Sequence, residues 1–271
     1  MTKKRGQVTM FIIIGGVIVL TLVLILSLIG TRFKHQNEVE DTIYLNAESE
    51  KIKMTLDKCL KKVSGKALLN LGYFGGRDTI FFPYFEGEMF NANYGHYLGA
   101  DTTPSTEEME EYLAEMIEEH LPSCATGAGI KNYSVLNGNG LNKNIAYLTN
   151  VQIGKLETTA KIGEQTVLFQ VNWPIKIIQG TSEREVAFFE INHKIKLKEL
   201  SLFVQNLTLQ IQEHPFFIDP LALLHEGYFI DAALFNKDTY LFLITDNQSK
   251  IESQPIRFLF AAKINAVEEQ K

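Results

Sequence analysis

Cysteine, tryptophan and the short signatures of catalysis are what this chain has least of. Its 271 residues include two cysteines, one tryptophan and seven prolines. No G-x-S-x-G elbow, phosphate-binding P-loop or H-E-x-x-H helix is present. The six histidines (His35, His96, His120, His193, His214 and His225) are scattered, and His225-Glu226 lacks the second histidine of a helical zinc site. They read as core or surface histidines. Gly75-Gly76 and Gly127-Ala128-Gly129 lack the partners that phosphate binding requires. Glu86 and Glu88 flank a glycine and could imitate a glycosidase carboxylate pair, although acidic pairs in loops are ordinarily just solvated. The expectation is a protein that is not an enzyme and carries no cofactor and no metal.

Positive charge is also scarce beyond the first few residues. The formal net charge is −6; setting aside Lys3, Lys4 and Arg5 leaves 23 basic against 32 acidic residues, a balance of −9. An acidic chain of this kind argues against nucleic acid as a partner. Hydrophobic residues make up 45%, which excludes a wholly disordered chain and is enough for a packed core.

Long apolar runs are absent except for one. Residues 10–29 carry no charge, and only Gly15, Gly16, Thr21 and Ser27 fall outside the large apolar set. Twenty helical residues rise about 30 Å, the thickness of a bilayer's hydrocarbon layer. Basic residues crowd the short segment before the run, so the positive-inside rule places the N-terminus in the cytoplasm and the rest outside the cell. A secretory signal is the competing reading, but its apolar region is shorter, and Ser27-Leu28-Ile29-Gly30 is a poor cleavage site. The expected division is a basic leader (1–9), a transmembrane helix (10–30), a polar stalk (31–50), one extracytoplasmic α+β domain (51–267) and a loose tail (268–271).

Within the outer part, Ile52, Leu56, Cys59, Leu60, Val63, Ala67, Leu68 and Leu71 recur at helical spacing, and Gly72 and Gly75-Gly76 stop the helix. Residues 73–98 read as a loop rich in aromatics: Phe81, Phe82, Tyr84, Phe85, Phe90, Tyr94 and Tyr97. Interleaved with glycine and asparagine, they form a candidate platform for a carbohydrate or protein partner, with packing onto the core as the plainer reading. Ser105 and Glu108 fit a capping box for a second helix with Met109, Tyr112, Leu113, Met116 and Ile117 inward, which Pro122 should end. The acidic run 107–119 is its wet face.

The remainder is mainly strand. Residues 145–153, 165–173, 175–178 and 185–195 are β-branched and aromatic, with Pro174 at a sheet edge or bulge. A third helix is expected over 197–212 and a short one over 219–225. Strands at 228–236, 239–245 and 256–264 form a closing meander, with Asp246-Asn247-Gln248-Ser249 in one of its turns. The fold class is therefore α+β, an antiparallel sheet with several packed helices.

An even pair of cysteines outside a cell invites a Cys59–Cys124 disulfide; two buried thiols or part of a metal site are the alternatives. Asn132, Asn206 and Asn247 each begin an Asn-x-Ser/Thr sequon and are candidate glycosylation acceptors, Asn247 the best placed.

Two resemblances follow from these residues. Lys4-Arg5-Gly6-Gln7-Val8-Thr9, running straight into the apolar helix, resembles the class III signal of archaeal type IV pilin-like proteins, which implies processing between Gly6 and Gln7. The chain departs from that group at Phe11, where pilins usually carry Glu. Over most of its length the chain resembles a family of uncharacterised single-pass surface proteins of small-genome archaea. The motifs are Asp57-Lys58-Cys59-Leu60, Leu71-Gly72-Tyr73-Phe74-Gly75-Gly76, Leu121-Pro122-Ser123-Cys124, Asn172-Trp173-Pro174-Ile175, Ile244-Thr245-Asp246-Asn247 and Phe258-Leu259-Phe260-Ala261-Ala262-Lys263. That resemblance implies an extracytoplasmic domain whose two cysteines correspond to Cys59 and Cys124. The expected function is a membrane-anchored cell-surface protein with a binding or structural head, its partners the lipid bilayer and envelope proteins or glycans. The alternatives are a pilin-like subunit of a surface appendage and an envelope enzyme acting on glycan or peptide.

Overall fold

The computed structural model describes residues 5–88, 90–130, 133–137, 147–179, 182–214, 218 and 223–264, with the side chains of 5–14, 29–42, 133–137 and 147–149 left aside. The architecture is mixed α+β. Its contacts divide it into two units, residues 1–50 with 133–152 and 176–185, and residues 51–132 with 153–175 and 186–271.

The first unit contains the N-terminal part of α1 (Arg5–Tyr73) and an antiparallel ladder of β4 (Tyr133–Asn137) on β5 (Tyr147–Ile153), pairing Tyr133 with Val151 and Asn137 with Tyr147. The large apolar side chains from Val17 to Leu28 are 52–65% exposed on α1. Thr21 turns its hydroxyl back onto the helix, donating to the carbonyls of Val17 and Ile18. Among the described residues no helix is long and apolar enough to cross a membrane; the side chains described within the apolar run are those of 15–28. Leader residues 1–4 and most of the stalk side chains lie outside what is described.

The second unit is built on one face of α1. Every apolar position of the expected stripe from Ile52 to Leu71 is buried, at 0–7% exposure, as a 3.6-residue period dictates. Gly75, at φ +66°, ends the helix: Gly76 N–H donates to Leu71 O and Gly75 N–H to Gly72 O, the paired bonds of a Schellman cap. Gly72 itself remains inside the helix for another reason. A Cβ there would sit 2.2 Å from the carbonyl oxygen of Arg257, so the last turn approaches the neighbouring strand as closely as glycine allows.

Helix α2 (Thr106–Gly127) opens with the expected capping box. Ser105 Oγ accepts from Glu108 N–H, and Glu108 Oε2 accepts from Ser105 N–H. Pro122 does not end it; the helix continues five residues further and includes Cys124. Pro removes one backbone bond, but Leu121 and Ala125 either side are each 1% exposed, and packing of that turn outweighs local propensity. Helix α3 (Leu197–Glu213) buries Leu197, Leu200, Val204, Leu207 and Ile211.

The described strands form two sheets. One has the order β1 (Tyr84–Glu86), β2 (Asn91–Tyr97), β11 (Gln254–Lys263), β10 (Thr239–Ile251), β9 (Tyr228–Asn236), with β3 (Ala100–Asp101) on β2. Its pairs are antiparallel except β11 on β2. It curls enough for Phe235 of its last strand to meet Phe85 of its first, ring centroids 4.7 Å apart. The other has the order β4, β5, β7 (Val167–Gln179), β6 (Glu157–Ile162), with β8 (Ser182–His193) on β7.

The segments expected at 165–173 and 175–178 are one strand, β7, running through Pro174. Pro174 lies opposite the break between β5 and β6, where its carbonyl accepts from Gly154 N–H. The N–H and C=O of a residue in an antiparallel pair point to the same neighbour, so the missing donor faces Gly154, whose carbonyl accepts instead from Trp173 Nε1–H at 3.2 Å. Residues 246–249 are not a turn either. They form a bulge within β10, where Asp246 Oδ1 accepts from the backbone of Gln248 and Ser249. The chain reverses instead at Glu252 and Ser253, both at positive φ, 48° and 74°. The helix expected over 219–225 lies largely outside the described residues.

Candidate functional site

The aromatic segment is not a loop. It contains β1 and β2, and these strands sort its seven rings by environment. Phe85 faces inward at 3% exposure, in a small core with Ala92, Leu241, Leu259 and Ala261. Tyr84, Tyr94 and Tyr97 are half-buried. Only Phe81, Phe82 and Phe90 are open to solvent, at 44%, 92% and 38%. The candidate platform therefore shrinks to three rings, and the structure adds one that periodicity did not single out, Phe235. Phe90 and Phe235 both contact Phe85, with ring centroids 6.3 and 4.7 Å away, so these three rings form one connected cluster.

Two devices hold this surface in place. The first is Asn93, 2% exposed in β2. Its amide nitrogen donates to the carbonyls of Phe74 (2.8 Å) and Thr79 (2.7 Å), and its oxygen accepts from Phe81 N–H (2.7 Å). One side chain thus satisfies three backbone groups of the segment that presents Phe81 and Phe82. The second is Arg77, which donates to Thr102 O at 2.7 Å and lies 5.3 Å from the centre of the Phe81 ring. Phe82 precedes a cis proline, Pro83.

On the other side of β2, Tyr94 and Tyr97 pack at 4.9 Å. Lys263 lies 5.9 Å from the Tyr97 ring centre and 3.6 Å from Asp238. Burial raises the Tyr94 phenol above its ordinary range, with Lys263 pulling the other way. His96 is fully buried; its Nε2 accepts from Gly99 N–H, which places the ring proton on Nδ1.

The only serine–histidine contact among the described residues is Ser64 Oγ to His193 Nε2, 2.7 Å. Ser64 donates to Leu60 O at 2.6 Å and so accepts from the imidazole. A catalytic base would have to accept the serine proton; this pair instead pins α1 to the end of β8. Burial holds both His96 and His193 below the usual imidazole range, with Asp101 opposing the shift at His96 and Lys61 adding to it at His193.

This has a consequence for pH. The unfolded chain takes up protons at both histidines near pH 6.5, roughly, while the native state resists. Their contribution is thus fully present above that pH and is lost as pH falls toward the native values. The urea midpoint is expected to drop between neutral and mildly acidic pH, and to drop less in His96→Gln. An equal slope in the two proteins would refute the assignment.

Cys59 on α1 and Cys124 on α2 are joined by a disulfide, with Cα atoms 5.8 Å apart. Of the sequons, Asn206 is exposed on α3, Asn247 is exposed in the β10 bulge, and Asn132 lies outside the described residues. Gly6 and Gln7 fall within α1. Glu86 and Glu88 are exposed at and just beyond the end of β1. The described residues contain no group of three or more His, Cys, Asp or Glu placed to hold a metal.

No family model, no curated protein and no solved structure matches the chain.

Proposed function

We propose that this is a single-pass cell-surface protein, anchored through residues 10–29, with a non-enzymatic head that binds or joins envelope components. The observation that carries the reading is the exposed apolar band on α1: from Val17 to Leu28 every large apolar side chain is more than half exposed. In water such a band is a liability; in lipid it is the required surface. Thr21 satisfies its hydroxyl within the helix, as a side chain in hydrocarbon must. The basic leader supports a cytoplasmic N-terminus, and the disulfide supports an oxidising surrounding for the head. The Phe81, Phe82, Phe90 and Phe235 edge is the proposed contact surface. The chain is expected to stay in the membrane pellet through alkaline carbonate washing; release into the supernatant would defeat the anchor.

A second reading, a pilin-like subunit, is favoured by one feature. The helix runs unbroken from Arg5 to Tyr73, so cleavage after Gly6 would leave an assembly helix continuous with the packed stripe. Phe11 in place of the usual Glu counts against it. Intact mass of the membrane-extracted chain separates the two: loss of residues 1–6 supports the pilin-like reading, and a full-length mass removes it.

A further inference from the structure

Strand β9 enters its sheet beside the β10 bulge, with Tyr228 opposite Asp246. Helix α3 starts against the same bulge, where Lys196 N–H donates to Ser249 Oγ at 3.1 Å. Together these elements border a recess of about 260 Å³ whose lining includes Lys196, Glu199, Glu226, Tyr228, Asp246 and Gln248. Three carboxylates against one ammonium give that lining a balance of −2. Lys196 is taken up by Glu199 at 3.4 Å. No ion pair to Asp246 or Glu226 is found among the described residues. Asp246 is only 2% exposed, and a carboxylate that deep is ordinarily paired.

The Tyr228 hydroxyl distinguishes this recess from a solvated acidic surface. Tyr228 is 9% exposed, and its hydroxyl has no hydrogen-bond partner among the described residues. The ring is held in place by stacking on His225, centroids 4.3 Å apart, and by Phe203 at 5.5 Å. Burial, and then the charges of Glu199 and Asp246, hold the phenol above its ordinary range. Both carboxylates that act on it line the recess, yet neither reaches it by a hydrogen bond. A buried hydroxyl without a partner calls for a ligand, an ion or water to bond it.

Among the described residues the acids form no group able to hold a metal ion. A phenol oxygen and carboxylates that stand apart are instead bridged by a cation whose N–H donors are spread in space. Guanidinium carries five in a planar fork and is more weakly hydrated than an ammonium. We infer that this recess binds a guanidinium group, which donates to the Tyr228 phenol oxygen and to the carboxylates of Asp246 and Glu226. The site is independent of the membrane anchor and of the exposed phenylalanine edge.

The test is calorimetric titration of the full chain, in a mild non-ionic detergent, with ethylguanidinium chloride. Binding at about 1 mM or tighter is expected, with propylammonium at least tenfold weaker. Tyr228→Phe should weaken ethylguanidinium at least tenfold. Its urea midpoint should stay at or above the parent's, because the lost hydroxyl bonds nothing in the described protein. Glu226→Gln changes an exposed side chain and should weaken the probe as well. A free guanidino compound and an arginine side chain of another protein present the same group. Parallel titrations separate them: binding confined to L-arginine assigns the free compound, and equal binding of N-acetylarginine N-methylamide assigns the side chain. Absence of ethylguanidinium binding up to about 10 mM overturns the proposal. So do equal affinity for propylammonium, displacement of the probe by calcium chloride, and undiminished binding in either variant. A lowered urea midpoint in Tyr228→Phe would make the hydroxyl a structural bond and overturns it equally.

Discussion

Replacing both cysteines with serine is expected to lower the stability of the head by about 4 kcal/mol, the chain-entropy value for a 65-residue separation. For a domain of this size that is a fall in melting temperature of roughly 8–16 °C. The size of the effect comes from the unfolded state. Residues 59 and 124 enclose the end of α1, strands β1 to β3 and nearly all of α2, and the bridge denies the unfolded chain every conformation in which those ends are far apart. Both half-cystines sit on helices with buried faces, so the folded arrangement persists without the bond. The double variant should fold, bury the same stripes and melt earlier. A change below about 1 kcal/mol would mean that the reduced unfolded chain is itself compact around these helices.

Asn93→Ala is the next largest expected loss, about 3–4 kcal/mol. The substitution removes three part-buried hydrogen bonds, each worth about 1 kcal/mol net, and leaves two carbonyls and one N–H to find new partners. Asn93→Asp is expected to be no better, because a carboxylate can accept from Phe81 N–H but cannot donate to Phe74 O or Thr79 O. The effect should be local as well as global. Releasing residues 74–81 frees Phe81 and Phe82, so chymotrypsin should cut there faster in the variant under native conditions. Equal cleavage rates with a loss under 1 kcal/mol would show that the segment is held by Arg77 and its own turns instead.

The parts of the fold that could be read from the residues are those governed by one dominant period. The α1 stripe, the α2 cap and the α3 face are all set by apolar spacing or by a local side-chain bond, and the structure has them where the spacing puts them. The closing strands were visible for the same reason. What could not be read depends on neighbours distant in sequence. In β2, Asn91-Ala-Asn-Tyr-Gly-His-Tyr97 has the composition of a loop and no alternation: Ala92, Asn93, Gly95 and His96 are all buried. They are buried because β11 and the 74–81 segment close over them. The same holds at Pro122, where buried Leu121 and Ala125 override a residue that ordinarily ends a helix, and at Asp246, whose side chain makes a bulge from what reads as a turn.

The aromatic surface was found by composition and reshaped by topology. Seven rings in one stretch marked the place, but alternation along β1 took Phe85 into the core, and curling of the sheet brought in Phe235 from residues that carried no such signal.

The proposed anchor and outward-facing head meet their most direct test in protease treatment of intact cells, followed by mass analysis of what the membrane retains. The account predicts that residues beyond the stalk are removed from outside, while a fragment holding the apolar run stays in the carbonate-washed membrane. A full-length chain untouched until the cells are broken would contradict it, and so would a chain found wholly in the soluble fraction.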